Sequence, residues 1–185
     1  MMPVQLVLIR HGESTWNCER RLQGFGDPPL TRKGEEQAHQ LAISLKEKRI
    51  DILISSDLQR ARRTAELIAD VKKLNVEIRD EWREHDMGIW TGLTREEIKD
   101  KWAEEYQAYR IGSSDVRPGN NGETRAEFRR RIYAAYKKIE EEYSGRVVYI
   151  VTHRGAIRVI LPSYKPEHAS PLNVAESDLL NMQIG

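Results

Sequence analysis

Three short apolar runs constrain this chain more than any other feature: VQLVLI at residues 4–9, ILI at 52–54 and VVYIV at 147–151. They are rich in β-branched residues and do not alternate strictly between polar and apolar. That is the pattern of parallel strands covered by helices on both faces. VEI at 76–78 is a weaker fourth strand. The intervening segments carry helical spacing: Ala38, Leu41, Ala42 and Leu45, then Leu58, Ala61, Ala65 and Ile68. The longest predicted helix runs over residues 124–143, with Phe128, Ile132, Ala135, Tyr136, Ile139 and Tyr143 on one face. Strands alternating with helices predict a three-layer α/β/α architecture with a mostly parallel central sheet, in one domain over residues 1–185. Gly112 to Gly122, with Pro118, Gly119, Asn120 and Asn121, reads as a surface loop. Beyond about residue 161, Pro162, Pro166 and Pro171 predict an irregular or shortened end.

Charge narrows the function classes. Thirty basic residues stand against 29 acidic ones, for a formal charge of +1. A general nucleic-acid or membrane-surface binder needs a strong basic excess, so neither partner is expected. No apolar run approaches the roughly 20 residues of a membrane helix. The apolar opening lacks a basic flank and runs straight into Arg10-His11-Gly12, so it reads as a strand and not a leader. Cys18 is the only cysteine, which excludes an intrachain disulfide. We expect a cytoplasmic protein, with Cys18 a small buried side chain outside any chemistry.

In an open parallel sheet, ligands bind beyond the carboxyl ends of the strands. His11 follows the first run and His153 the last, with Gly12 and Gly155 close behind. If those strands are neighbours, about 5 Å apart, both imidazoles face one site. Either histidine alone would more readily be a capping or core residue; the pair, flanked by arginines, points to a site. Ser55-Ser56-Asp57 ends the second run and offers helix caps, and Arg60 falls in the next helix's first turn. A helix start with a nearby arginine suits an anion, and Arg10 adds a second cation. A solvated helix arginine is the plain alternative for Arg60, and the expected reading for Arg63. His39 and His168 read as surface residues.

Other phosphate chemistries lack their motifs. Six residues after Cys18 stands Gly24, not the arginine of a cysteine phosphatase, and no G-x-x-x-x-G-K-[ST] loop occurs. Gly24-Phe25-Gly26 cannot open a dinucleotide fingerprint, because Pro29 holds the third glycine position. Neither H-E-x-x-H nor paired cysteines supply a metal-ligand spacing, so no metal or other cofactor is expected.

Leu8-Ile9-Arg10-His11-Gly12-Glu13-Ser14 with Trp16-Asn17 resembles the signature of the histidine phosphatase superfamily, the phosphoglycerate-mutase-like proteins. Further blocks follow in the family's order: Gln23-Gly24, Asp27-Pro28-Pro29-Leu30-Thr31 and Gly34, then Ser55-Ser56-Asp57-Leu58 with Arg60-Ala61 and Thr64-Ala65. Glu84 with Gly88, Trp90 and Gly92 matches the acid block, and Val151-Thr152-His153 the last. The resemblance covers roughly residues 4–160.

It implies a phosphoglycerate-mutase-like fold and a phosphohistidine on His11. Arg10, Arg60 and His153 would bind the phosphoryl oxygens, and Asn17, Gln23 and Gly24 would add contacts to phosphate or substrate. Glu84 would protonate the leaving oxygen and later activate water, so it must start protonated. A surface carboxylate is the plain alternative for Glu84, and Glu13 or Asp86 could be the acid instead. His85 need not point inward. Two departures stand out. Arg154 follows His153 where the family has a small residue, and could narrow the pocket or bind a second anionic group. Only 32 residues follow His153, so the final helix and strand are expected to be reduced or missing.

The leading expectation is a metal-independent phosphatase hydrolysing a small phosphorylated metabolite. A phosphoglycerate mutase is the nearest alternative, disfavoured because the segment 102–122 is short for the insertion that would hold a sugar acid. A non-catalytic phosphate-binding regulatory module is the alternative from another class, and the five core residues argue against it. Nothing in the sequence marks a docking surface for a phosphoprotein. The oligomeric state stays open, a homodimer included.

Overall fold

The β-branched runs form strands where expected, and their register places the ends that matter side by side. The computed structural model describes residues 3–112 and 115–162, and the backbone of residues 174–177. β1 (Gln5–Arg10), β2 (Ile52–Ser55), β3 (Val76–Ile78) and β4 (Val147–Thr152) are parallel, and β5 (Val174–Ser177) adds an antiparallel edge in the order β3-β2-β4-β1-β5. β1 and β4 pair from Gln5–Val147 through Arg10–Thr152, so His11 and His153 leave the sheet next to each other. The last strand, expected to be reduced or missing, is present as β5, a short edge strand of four residues. The expectation for the final helix, and those for His168, Pro166 and Pro171, fall outside the described residues.

The helices are α1 (Thr15–Cys18), α2 (Arg32–Ser44), α3 (Gln59–Lys72), α4 (Arg95–Lys101), α5 (Ala103–Arg110), α6 (Arg125–Glu142) and α7 (Arg154–Ile160). Alternate strand residues point to opposite faces, and both faces are covered. Leu6, Leu8, Ile54, Val148 and Ile150 pack with Phe128, Ile132 and Ile139 of α6 and Ala156 and Ile157 of α7. Val7, Ile9, Leu53, Tyr149 and Val151 pack with Ala42 of α2 and Ala61, Ala65 and Ile68 of α3. This double covering is why the runs read as continuous apolar stretches. A third, smaller core of Met87, Trp90, Ile98 and Tyr106 supports α4 and α5 beside the sheet.

Local chemistry starts the helices. Thr94 and Thr124 each form a reciprocal capping box, with Glu97 and Glu127 respectively, an arrangement whose cap alone contributes on the order of 1 kcal/mol. α3 differs, because Leu58 at its N-cap offers no side-chain acceptor. Asp27 supplies it from a distant loop: its Oδ1 accepts the Gln59 N–H at 2.6 Å. Cys18 corrects another expectation. It is exposed, because α1 is a single turn that buries none of its residues. Among the described residues no helix is long and apolar enough to cross a membrane.

Candidate active site

His11 and His153 stand with ring centroids 5.2 Å apart and almost no solvent exposure. The His11 backbone N–H extends the β1–β4 ladder by donating to the Thr152 carbonyl at 3.1 Å. Its ring is then set by one bond, Nδ1 to the Gly12 carbonyl at 2.7 Å. A carbonyl only accepts, so Nδ1 carries the proton and Nε2 keeps its lone pair. Burial, with the charges of Arg60 and Arg10, holds the His11 pKa well below 6.5 against the opposing pull of the Gly12 carbonyl. The imidazole is therefore neutral at physiological pH, as a nucleophile requires.

Gly12 is needed here for space and not for backbone freedom. A Cβ on it would lie 2.5 Å from the Gly34 carbonyl oxygen, and one on Gly34 would lie 2.1 Å from that of Glu13. The His11 loop and the start of α2 thus approach backbone to backbone. The Gly12 N–H donates to Thr64 Oγ1 at 3.0 Å, fixing the loop to α3 as well.

Burial, then Arg60, His11, Arg131 and Arg10, likewise hold His153 well below 6.5. Its Nε2 lies 2.9 Å from Ser56 Oγ, which also accepts the Leu58 N–H at 3.3 Å. The buried Ser56 proton is satisfied by donation to Nε2, which leaves the His153 proton on Nδ1. That Nδ1 is buried without a hydrogen-bond partner among the described residues. Arg60 is fully buried, which excludes the solvated alternative. It donates to the carbonyls of Gly26 at 2.6 Å and Gly24 at 3.0 Å, and its buried Nε has no partner among the described residues. Burial brings its pKa down to about 10, so it stays cationic at neutral pH.

Arg10, His11, Gln23, Gly24, Arg60, Glu84 and Arg154 all line one cavity of about 730 Å³, and His153, which is not among its lining residues, packs against His11. Gly24 has φ +46°, and a Cβ there would meet the Met87 backbone nitrogen at 2.9 Å, so this turn favours glycine on both counts. Asn17 is not among the residues lining the cavity; its side-chain oxygen accepts the Ser14 N–H at 3.0 Å in the cap of α1. Glu84 is held by its own oxygens: Oε1 accepts the His85 N–H at 2.8 Å and Oε2 the Gly155 N–H at 3.1 Å. Arg63 is half exposed and pairs with Glu35, and His39 is exposed.

Several site residues escaped the sequence. His85 is buried and lines the cavity, stacked on Phe128 at 4.8 Å, with Nε2 donating to the Glu123 carbonyl at 2.8 Å. The outer wall is cationic: Arg21, Arg95 and Lys99 of α4, Arg110 of α5, Arg125 of α6, and Arg154 and Arg158 of α7. Among the described residues, Glu84 and Glu96 are the only carboxylates on that lining. The helical spacing of Arg95 and Lys99, four residues apart, was a signal that could have been read. In a chain with +1 overall, nine of the 30 basic residues line this one cavity. Among the described residues, Arg95, Lys99 and Arg110 form no ion pair, whereas Arg21 is engaged with Glu19 and Glu97. No group of three or more metal-ligating side chains occurs among the described residues.

The model of the histidine phosphatase superfamily (branch 1) matches residues 6–179. Phosphoglycerate mutase-like protein 4 of Arabidopsis thaliana is 35% identical over 164 residues, 88% of this chain and 71% of that protein. Phosphoserine phosphatase 1 of Hydrogenobacter thermophilus is 33% identical over 157 residues, 85% of this chain and 74% of its own length. The solved structure of the alpha-ribazole phosphatase of Shigella flexneri superposes with a TM-score of 0.80 at 30% identity, covering 86% of this chain and 78% of that one. With His11, the buried Arg60 and Glu84 on one cavity and His153 packed against His11, this chain belongs to the histidine phosphatase superfamily.

Proposed function

We propose that the protein is a metal-independent phosphatase that hydrolyses a small phosphorylated metabolite carrying a second anionic group. The observation that carries this reading is His11: buried and neutral, its Nδ1–H held by the Gly12 carbonyl, its Nε2 available at a cationic cavity. In the first step Nε2 attacks phosphorus as the bond to the leaving oxygen breaks, and Glu84 delivers its proton to that oxygen. Arg10, Arg60 and the His153 Nδ1–H stabilise the three equatorial oxygens, where charge spreads in the transition state. Glu84 then takes a proton from water, which attacks the phosphohistidine. The P–N bond breaks and inorganic phosphate leaves.

The second anionic group follows from the wall. One phosphoryl group uses the cations at the floor, while Arg95, Lys99, Arg110, Arg154 and Arg158 surround space far larger than a phosphate. A cavity of about 730 Å³ falls within the range that encloses a whole metabolite-sized ligand. We expect the protein to act in the cytoplasm on such a metabolite, with neither nucleic acid nor membrane as partner. A mutase of the phosphoglycerate type would pass the phosphoryl group to a second hydroxyl of a sugar acid instead of to water.

Phosphate release should be measured across a panel of phosphorylated metabolites, with and without exhaustive chelation. Turnover that persists in chelator and favours phosphate or carboxylate neighbours supports the reading. Loss on chelation, restored by a divalent ion, refutes the metal-independent mechanism. Isomerised monophosphate without phosphate release would establish the mutase, and binding without either reaction the regulatory module.

A further inference from the structure

Glu84 sits in a stretch with no ladder of its own. Asp80–Trp82 is one turn of 3-10 helix, and Arg83 to Met87 is irregular. What holds this stretch is Arg131, on the face of α6 turned toward it. A guanidinium has five N–H donors, and all five are engaged. Nη1 donates to the carbonyls of Glu81 at 2.9 Å and Arg83 at 3.1 Å, and Nη2 to that of Glu84 at 3.0 Å. Nε and Nη2 complete a two-pronged pair with Glu123, at 2.8 and 2.7 Å. The guanidinium also lies over two rings, Phe25 at 5.6 Å and Phe128 at 5.2 Å.

Glu123 continues the grip. Its Oε2 accepts the Asp86 N–H at 3.1 Å and its carbonyl accepts His85 Nε2–H. Burial opposes its ionisation, but the bonds and charge of Arg131 outweigh that and hold its carboxyl below the ordinary value. Every peptide carbonyl bonded by Arg131 lies within three residues of Glu84, yet Arg131 does not line the cavity. It cannot touch substrate from there.

We propose that Arg131, paired with Glu123, is the positioning residue for the general acid, fixing the backbone of residues 81–84 so that the Glu84 carboxyl meets the leaving oxygen. This rests on the reading of Glu84 as that acid. Lysine cannot replace it, because an ammonium has three donors and no planar fork to reach three carbonyls and a carboxylate together.

The test compares Arg131→Lys, Glu84→Gln and the double variant in rapid-quench measurements of His11 phosphorylation. Two substrates are used, an alkyl phosphate and nitrophenyl phosphate. An alkoxide needs the proton and a nitrophenolate departs without it. Misplacement by about 1 Å can reduce rate on the order of 10²-fold, so Arg131→Lys should slow the alkyl ester by roughly that factor and largely spare the nitrophenyl ester. The double variant should be no slower than Glu84→Gln on the alkyl ester, since the two act as a unit. Equal slowing of both esters by Arg131→Lys, no slowing at all, or multiplying losses in the double variant would overturn the proposal. If Glu84→Gln itself treats both esters alike, the acid is misassigned and the positioning role falls with it. Should Arg131→Lys fail to fold, Glu123→Gln carries the same comparison, because it removes the charge partner while keeping its shape.

Discussion

Two neutral histidines buried side by side make folding depend on pH in a way that can be calculated. His11 and His153 both have pKa values held well below 6.5 by burial, with Arg60 the next largest cause for each. Unfolded, each returns to about 6.5. Between the native values and 6.5, the unfolded chain therefore binds protons that the native protein does not. Stability is fully present above pH 6.5 and is lost as pH falls below it. The size depends only on the unfolded value while the native pair stays neutral. Each histidine then contributes a loss of about 1.4 kcal/mol between pH 7.5 and 5.5, so the pair loses about 2.7 kcal/mol. For a chain of 185 residues that corresponds to a Tm lower by about 5–11 °C.

Carboxylates also titrate toward acid, so the measurement is a difference between proteins. Urea unfolding in phosphate-free buffer at pH 7.5 and 5.5 would be run on the wild type and on His11→Asn/His153→Gln. Asparagine can still donate to the Gly12 carbonyl, and glutamine can still reach Ser56, so the contacts at 2.7 and 2.9 Å have replacements. The variant should show about 2.7 kcal/mol less pH dependence than the wild type over this interval. An identical dependence in both would mean that the native histidines already carry protons at pH 5.5. The neutral nucleophile would then be wrong, and the proposed attack with it.

Rapid quenching of the wild type during turnover should trap acid-labile, base-stable phosphate on His11, and His11→Ala should lose both label and turnover; label on serine, threonine or Cys18 would refute the assignment. A methyl added by Gly155→Ala would lie 2.0 Å from Glu84 Oε1. The carboxyl must move by about 1 Å, and kcat on alkyl phosphates should fall on the order of 10²-fold; an unchanged kcat would remove Glu84 from the chemistry. Arg154→Gly should penalise substrates with a second phosphate or carboxylate more than simple monoesters, and a uniform decrease across the panel would show that the side chain serves another purpose.

The sheet was legible because its strands announce themselves locally. Residues 4–9, 52–54 and 147–151 needed no knowledge of their partners, and the same holds for His11 and His153 at the strand ends. The histidine phosphatase blocks added Glu84, which no local signal separates from Glu13 or Asp86. What could not be read depends on side chains that meet only after folding. Arg131 stands in the run Arg129-Arg130-Arg131, and such a run reads as a solvated face. Only the docking of residues 81–84 onto α6 turns one member inward. Asn17 shows a further contact that appears only on folding, since its place three residues after Ser14 makes it the partner in that serine's cap. The cationic wall was hidden by the overall balance of charge, because composition carries no information on where charges gather.

The loop holding Gln23 to Asp27 connects the two halves of the proposed chemistry. Its Gly24 and Gly26 carbonyls accept the bonds of Arg60, and its Asp27 caps the helix from which Arg60 projects. The ring of Phe25, between those glycines, lies under Arg131 at 5.6 Å and under Arg83 at 5.0 Å. Arg83 in turn pairs with Asp57, just before α3. One short loop thus touches both the arginine assigned to the phosphoryl group and the arginine assigned to the acid. A phosphoryl transfer needs the attacking nitrogen, phosphorus and leaving oxygen in line, so the two assemblies must hold a fixed separation. Neither lies on the same element as the other, and the sheet alone sets only His11 against His153. The loop supplies the missing constraint: a Cβ on Gly24 would meet Met87 and one on Gly26 would meet Trp16, so the glycines let the loop pack closely there, while the ring of Phe25 between them reaches across to Arg131.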